Sequence, residues 1–237
     1  MNYTAILAKK ELKGYFNSPA AYIVLVIFLL LSGWFFASPL FINNSADLRS
    51  LFGIVPIVYL FFVPAVTMNL ISRENSSGTL ETLSTLPIRE SQIIMGKFWA
   101  SLELIGIGLV FTLLHLITII ILGSNIDFGA IFCGYIGLLL LGALYSAIGL
   151  FASTVTNNQI VAFIISFFIV FFLFIIQYSL FFIPSFLTEF FQYISTGYHF
   201  DNISRGVIDT RNLIYFLSGT ALFIKLSISI LESRKWK

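Results

Sequence analysis

The sequence predicts an all-α polytopic membrane protein with six transmembrane helices, and three observations carry that reading. Hydrophobic residues make up 58% of the 237 residues and charged ones 10%, against roughly 25% charged in a soluble domain. Phenylalanine alone occurs 27 times, more than a water-soluble core of this size buries. Six stretches are long and apolar enough to cross a hydrocarbon layer of roughly 30 Å: residues 20–42, 51–70, 97–122, 129–152, 159–183 and 212–231. Runs of this kind satisfy their own backbone as helices, and the alternation of barrel strands is absent.

The remaining counts exclude several function classes. A formal charge of +2 without a basic stripe argues against a nucleic-acid partner. Cys133 is the only cysteine, and His115 and His199 are the only histidines, so a His-rich or Cys-rich metal site is not expected.

In chain order, residues 1–18 read as a helix lying on the membrane surface. Ala5, Ala8, Leu12, Tyr15 and Phe16 share one face, and Lys9, Lys10 and Lys13 turn away toward anionic headgroups. Ile6 and Leu7 blur that division; a plain juxtamembrane extension is the alternative. The first span starts too late, runs too long and lacks a small-x-small site, so it is expected to stay uncleaved. Ten lysines and arginines fall at one side if the amino terminus is cytoplasmic: Lys9, Lys10, Lys13, Arg73, Arg89, Lys97, Lys225, Arg234, Lys235 and Lys237. Arg49, Arg205 and Arg211 fall opposite, which places both termini inside. Segments 71–96 and 153–158 then face the cytosol, and 43–50, 123–128 and 184–211 face outward.

The segment Ile71–Glu90 holds the most information. Ser77-Gly78 signals a turn, and Thr79 suits the start of a helix with Glu81 in its first turn. Leu80, Leu83 and Leu86 form an apolar ridge, Pro87 stops the helix, and Ser91 begins the long third span. Two turns of helix do not stand alone in water. The ridge must therefore dock, either on the inner membrane surface or in a groove of a separate cytosolic protein.

These residues resemble a known family. Glu74, Gly78-Thr79-Leu80-Glu81, Leu83, Pro87-Ile88 and Gly96-Lys97 are similar to the signature loop of ABC transporter permease subunits of the type-2 export class. The resemblance implies a single permease domain over 1–237, with an N-terminal interfacial helix, six spans and a short cytosolic coupling helix engaging an ATPase subunit. Lys10–Pro19 and Phe200–Asp209 resemble the gliding-motility permeases of the GldF type, and NosY-type permeases are more distant in likeness. Glu74, Gly78, Thr79, Leu80, Glu81, Leu83, Leu86 and Pro87 become the expected ATPase-coupling residues, with Glu74 and Glu81 as polar contacts. No Gly-x-x-x-x-Gly-Lys-Ser/Thr loop exists, so the chain itself is expected to bind no cofactor; ATP and Mg would sit on the partner. His-Glu-x-x-His and Gly-x-Ser-x-Gly are missing too, so no enzyme activity is expected.

Charges and small residues inside the spans complete the reading. Glu103 and Lys225 each lie about two turns inside the cytosolic end of a span, where a lone charge costs ~3 kcal/mol. They are candidates for an intramembrane ion pair, or Lys225 snorkels to the surface alone. His115 is expected to hydrogen-bond within the bundle. Gly142, Ser146, Gly149 and Ser153 follow one face of span four, a small-residue seam for static packing, or for movement or pairing. Phe186, Leu187, Phe190, Phe191 and Ile194 after Pro184 predict an outer aromatic helix that lies in the interface or re-enters the bilayer. The leading expectation is a non-catalytic subunit of the inner membrane, paired with a second copy or a homologous permease. A force-transmitting or anchoring subunit without cargo and, behind it, an ion-coupled carrier are the alternatives.

Overall fold

The computed structural model describes residues 3–42, 47–80, 87–122, 127–179, 184–207 and 209–233. The described residues form helices α1 (Tyr3–Phe16), α2 (Pro19–Ile42), α3 (Arg49–Thr67), α4 (Ser72–Ser76) and α5 (Glu90–Leu122). These are followed by α6 (Phe128–Val155), α7 (Gln159–Ser179), α8 (Ser185–Ile194), α9 (Thr196–Ser204) and α10 (Thr210–Ser233). Six helical stretches are long and apolar enough to cross a membrane: Pro19–Ile42, Arg49–Ser76, Glu90–Leu122, Phe128–Val155, Gln159–Ser179 and Thr210–Ser233.

Local chemistry sets several boundaries. Asp127 accepts from the Ala130 N–H at 3.1 Å and opens α6, and Asn158 accepts from the Ile160 N–H at 2.9 Å and opens α7. Pro56 and Pro64 sit inside α3 and remove two backbone donors from it. The Thr67 hydroxyl donates back to the Val63 carbonyl at 2.9 Å. Just past Thr67 the Leu70 N–H turns to the Thr67 carbonyl, 3.1 Å away, and the helix ends.

At about 1.5 Å per residue, the 33 residues of α5 reach roughly 50 Å. That exceeds the hydrocarbon thickness, so one end of α5 has length to spare beyond the spans. Helix α1 packs along the Glu90 end of α5. Gly96 permits the close approach, since a Cβ there would lie 2.7 Å from the Leu7 Cβ.

Helices α3 and α6 form the centre. Val55, Tyr59, Val63, Leu138, Leu141, Tyr145 and Ile148 are fully buried, and α2, α5, α7, α9 and α10 surround them. The packed face of α1 keeps Ala8, Leu12, Tyr15 and Phe16 from the one read in the sequence and departs from it at Ala5 and Leu7. Leu7 and Ala8 are buried while Ala5 is exposed, because the helix docks on protein as well as on any lipid surface.

Candidate functional site

The α1 end of the bundle gathers the residues that carry chemistry. Lys97, one turn beyond Ile93 on α5, is only 1% exposed. Its ammonium lies 3.0 Å from the Glu11 carboxylate on α1 and 2.8 Å from Glu74 on α4. A buried lysine is tolerable only when its charge is met and its protons are used. Three elements distant in sequence are thus tied through one side chain. Tyr15 adds a second tie: its hydroxyl donates to the Val66 carbonyl at 2.8 Å, an acceptor whose helical partner has turned elsewhere. Burial first, and then the Glu11 charge, push the Tyr15 phenol far above its ordinary value, so it remains a donor.

The stretch between α3 and α4 is stapled to the end of α6. Ser153 accepts from the backbone N–H groups of Ile71 (3.0 Å) and Ser72 (2.9 Å) and donates to the Met68 carbonyl (3.0 Å). Its hydroxyl therefore satisfies a buried chain reversal. The Ser72 hydroxyl also reaches the Met68 carbonyl, and the Asn75 amide meets the Asn157 side chain in the turn before α7. The other small residues of α6 pack within the same subunit. Gly142 faces Ile105 and Tyr59, Gly149 faces Thr67 and Ser166, and Ser146 is fully buried.

Beyond α4, Gly78 has φ +70°, a conformation that favours glycine. The Thr79 hydroxyl turns back to the Glu74 carbonyl (3.3 Å) and the Ser77 hydroxyl (2.9 Å). Leu80 points inward. It is buried in a cluster with Leu7, Leu70, Ile71, Ile93, Ile94 and Phe98. Two expectations need correction here. Leu80 is committed to its own subunit, since a leucine at this place finds apolar neighbours on α5 and α1. Glu74 is held by Lys97 and leaves only one carboxylate oxygen unused, so it is no free contact for another protein. Glu81, Leu83 and Leu86 lie outside the described residues, and Pro87 is exposed.

A family model described as ABC-2 family transporter protein matches residues 5–235. The chain belongs to the ABC-2 transporter family. It is a membrane-spanning permease subunit of an ABC transporter, and the family implies an ABC ATPase partner in general. A search of curated proteins finds no match.

Within this ABC-2 permease the proposed bridge between Glu103 and Lys225 is not formed. Both side chains are exposed on the bundle, and the ion pairs among the described residues are Arg49–Asp47, Lys97–Glu11 and Lys97–Glu74. Equal depth in two helices does not turn two side chains toward each other. Exchanging the charges, with Glu103→Lys and Lys225→Glu combined, is expected to give additive losses in thermal stability. Recovery in the double variant would restore the bridge.

His115 faces the bundle and stacks on Phe36 with ring centroids 4.6 Å apart, yet its buried Nε2 has no hydrogen-bond partner. Stacking, not hydrogen bonding, holds it.

The opposite end contains a feature the sequence reading missed. Helix α8 carries the predicted aromatic face, with Phe186 and Phe190 exposed. The chain then turns back at Ser195 and α9 plunges into the bundle, where Phe200 and Ile203 pack on Gly137 of α6. His199 is fully buried, joined to the Asn212 side chain (2.7 Å) and the Tyr193 carbonyl (3.0 Å), and stacked on Tyr215 at 4.0 Å. A histidine flanked by Tyr198 and Phe200 was the available signal; its partners on α8 and α10 are not local.

Proposed function

We propose that this permease works in an ATP-driven, export-type transporter whose separate ATPase subunit pushes on residues 72–90. The orientation follows the lysine and arginine distribution, with both termini cytoplasmic in an inner membrane and the α1 end facing the cytosol. ATP and Mg belong to the partner. Two permease subunits, identical or homologous, frame the path, and the likeness of Lys10–Pro19 and Phe200–Asp209 to gliding-motility permeases suggests that setting.

One observation supports the coupling reading above the others: Lys97 clamps α4 to α1 and to the free end of α5. A push on a loose loop would be absorbed locally. A push on a segment pinned by an ion triad and by Ser153 passes into the third and fourth spans as movement of rigid helices. Among the described residues, the surface left for the partner holds Ser76, Ser77, Gly78, Thr79 and Pro87, all exposed. Glu81 replaces Glu74 as the main polar contact in this scheme.

Purification of the full chain from its own membranes in mild detergent tests the reading. A protein with a phosphate-binding loop should accompany it, and Glu81→Lys should lower its recovery about tenfold, as reversal of an interfacial charge does. A folded chain recovered alone would remove the proposal.

A further inference from the structure

A cavity of about 470 Å³ lies where α1, α2, α3 and α4 meet, beside the Lys97 triad. Its walls divide by chemistry. Ala21, Val24, Ala65 and Leu104 give an apolar side that continues into the spans, and Glu11, Asn69, Glu74 and Arg73 give a polar side at the bundle end.

Two of the polar residues carry unmet demands. Asn69 Oδ1 and Glu74 Oε2 are buried acceptors without a donor. Leaving such atoms dry and unpaired is costly. Among the described residues, Lys97 is the one cation within ion-pair distance of the two carboxylates, and it reaches Glu74 through Oε1 alone. What the cavity lacks is a cation that carries several N–H donors. Arg73, exposed on the same wall, suits an anion placed next to that cation. The apolar wall suits hydrocarbon.

We infer that this cavity binds a phospholipid with a primary ammonium headgroup, of the phosphatidylethanolamine class. The ammonium donates to Glu74 Oε2 and Asn69 Oδ1, the phosphate faces Arg73, and an acyl chain lies along Val24, Ala65 and Leu104. The lipid then completes the triad that ties α1 to α4 and α5. A headgroup without N–H donors satisfies neither orphaned oxygen, so phosphatidylcholine of the same chain length is a poor substitute.

The test is native mass spectrometry of the full-length protein in detergent, with lipids of matched acyl chains added singly. Phosphatidylethanolamine should be retained about tenfold better than phosphatidylcholine, the size expected of charge-assisted hydrogen bonds gained or lost. Asn69→Leu should abolish that preference, and Ala65→Phe, which fills the cavity from its apolar side, should lower retention of ethanolamine lipid without touching the acceptors. Melting curves establish that each variant is folded, and either variant suffices if the other is not. Equal retention of the two lipids, a preference that survives in folded Asn69→Leu, or undiminished retention of ethanolamine lipid in folded Ala65→Phe overturns the inference. Displacement of the lipid by equimolar glycerophosphoethanolamine would assign the site to a soluble headgroup and overturn the lipid assignment. No ATPase is present in the assay, so its failure leaves the coupling proposal standing, and the reverse holds.

Discussion

Lys97→Met should destabilise the protein by about 3 kcal/mol, at the lower end of the cost of breaking a buried ion pair. The methionine fills the space of the lysine stem but strands two carboxylates. Their side chains keep 22% (Glu11) and 18% (Glu74) of their exposure, so water recovers part of the loss and holds the effect at that lower end. Glu11→Gln, by contrast, leaves Lys97 its 2.8 Å partner Glu74 and should cost about 1 kcal/mol. Reversible unfolding in mixed micelles measures both. A Lys97→Met variant as stable as the parent would mean that the triad holds nothing together.

Gly149→Ala is the second large effect, and its origin is purely steric. A Cβ at this position collides with the Thr67 side chain, its Cβ as well as its hydroxyl, and lies 3.2 Å from the Ser166 hydroxyl. The Thr67 Cβ is fixed to a central helix and cannot swing aside, so α3 and α6 must separate. Overpacking of that kind costs about 1–3 kcal/mol. Gly106→Ala on α5 is the matched control, with nothing within 4 Å of the added methyl, and should be neutral or stabilising by up to ~1 kcal/mol. Equal melting temperatures for the two variants would show that the α3–α6 contact is loose.

The elements that were legible in the sequence are those written in local pattern. The six spans are runs of one solvent preference. The aromatic helix α8 appears as Phe186, Leu187, Phe190 and Phe191 at helical spacing, and the extension of α5 before residue 97 was foreshadowed by Pro87 and Ser91. Lys97 shows where pattern misleads. As a lysine at the edge of an apolar run it reads as a surface marker of orientation, yet it is 1% exposed and sits between acids 86 and 23 positions away. Nothing near residue 97 announces Glu11. Leu80 misled in the opposite sense, because an apolar ridge states that a helix must dock without stating on what.

Helix α9 was missed for a related reason. Its nine residues are too short and too mixed to resemble a span, and its burial depends on Gly137 and Gln177, contributed by α6 and α7.

By composition and periodicity alone, the chain determined that it lives in a bilayer, as helices, with its polar segments confined to the ends. Burial in lipid is a property of each residue, so it can be summed along a string. Which charges meet, which small residues admit a neighbour and which leucines stay available to a partner were decided only in three dimensions. Those outcomes depend on the rotation of one helix against another, and a turn of some 100° per residue moves a side chain from lipid to core without changing a letter nearby.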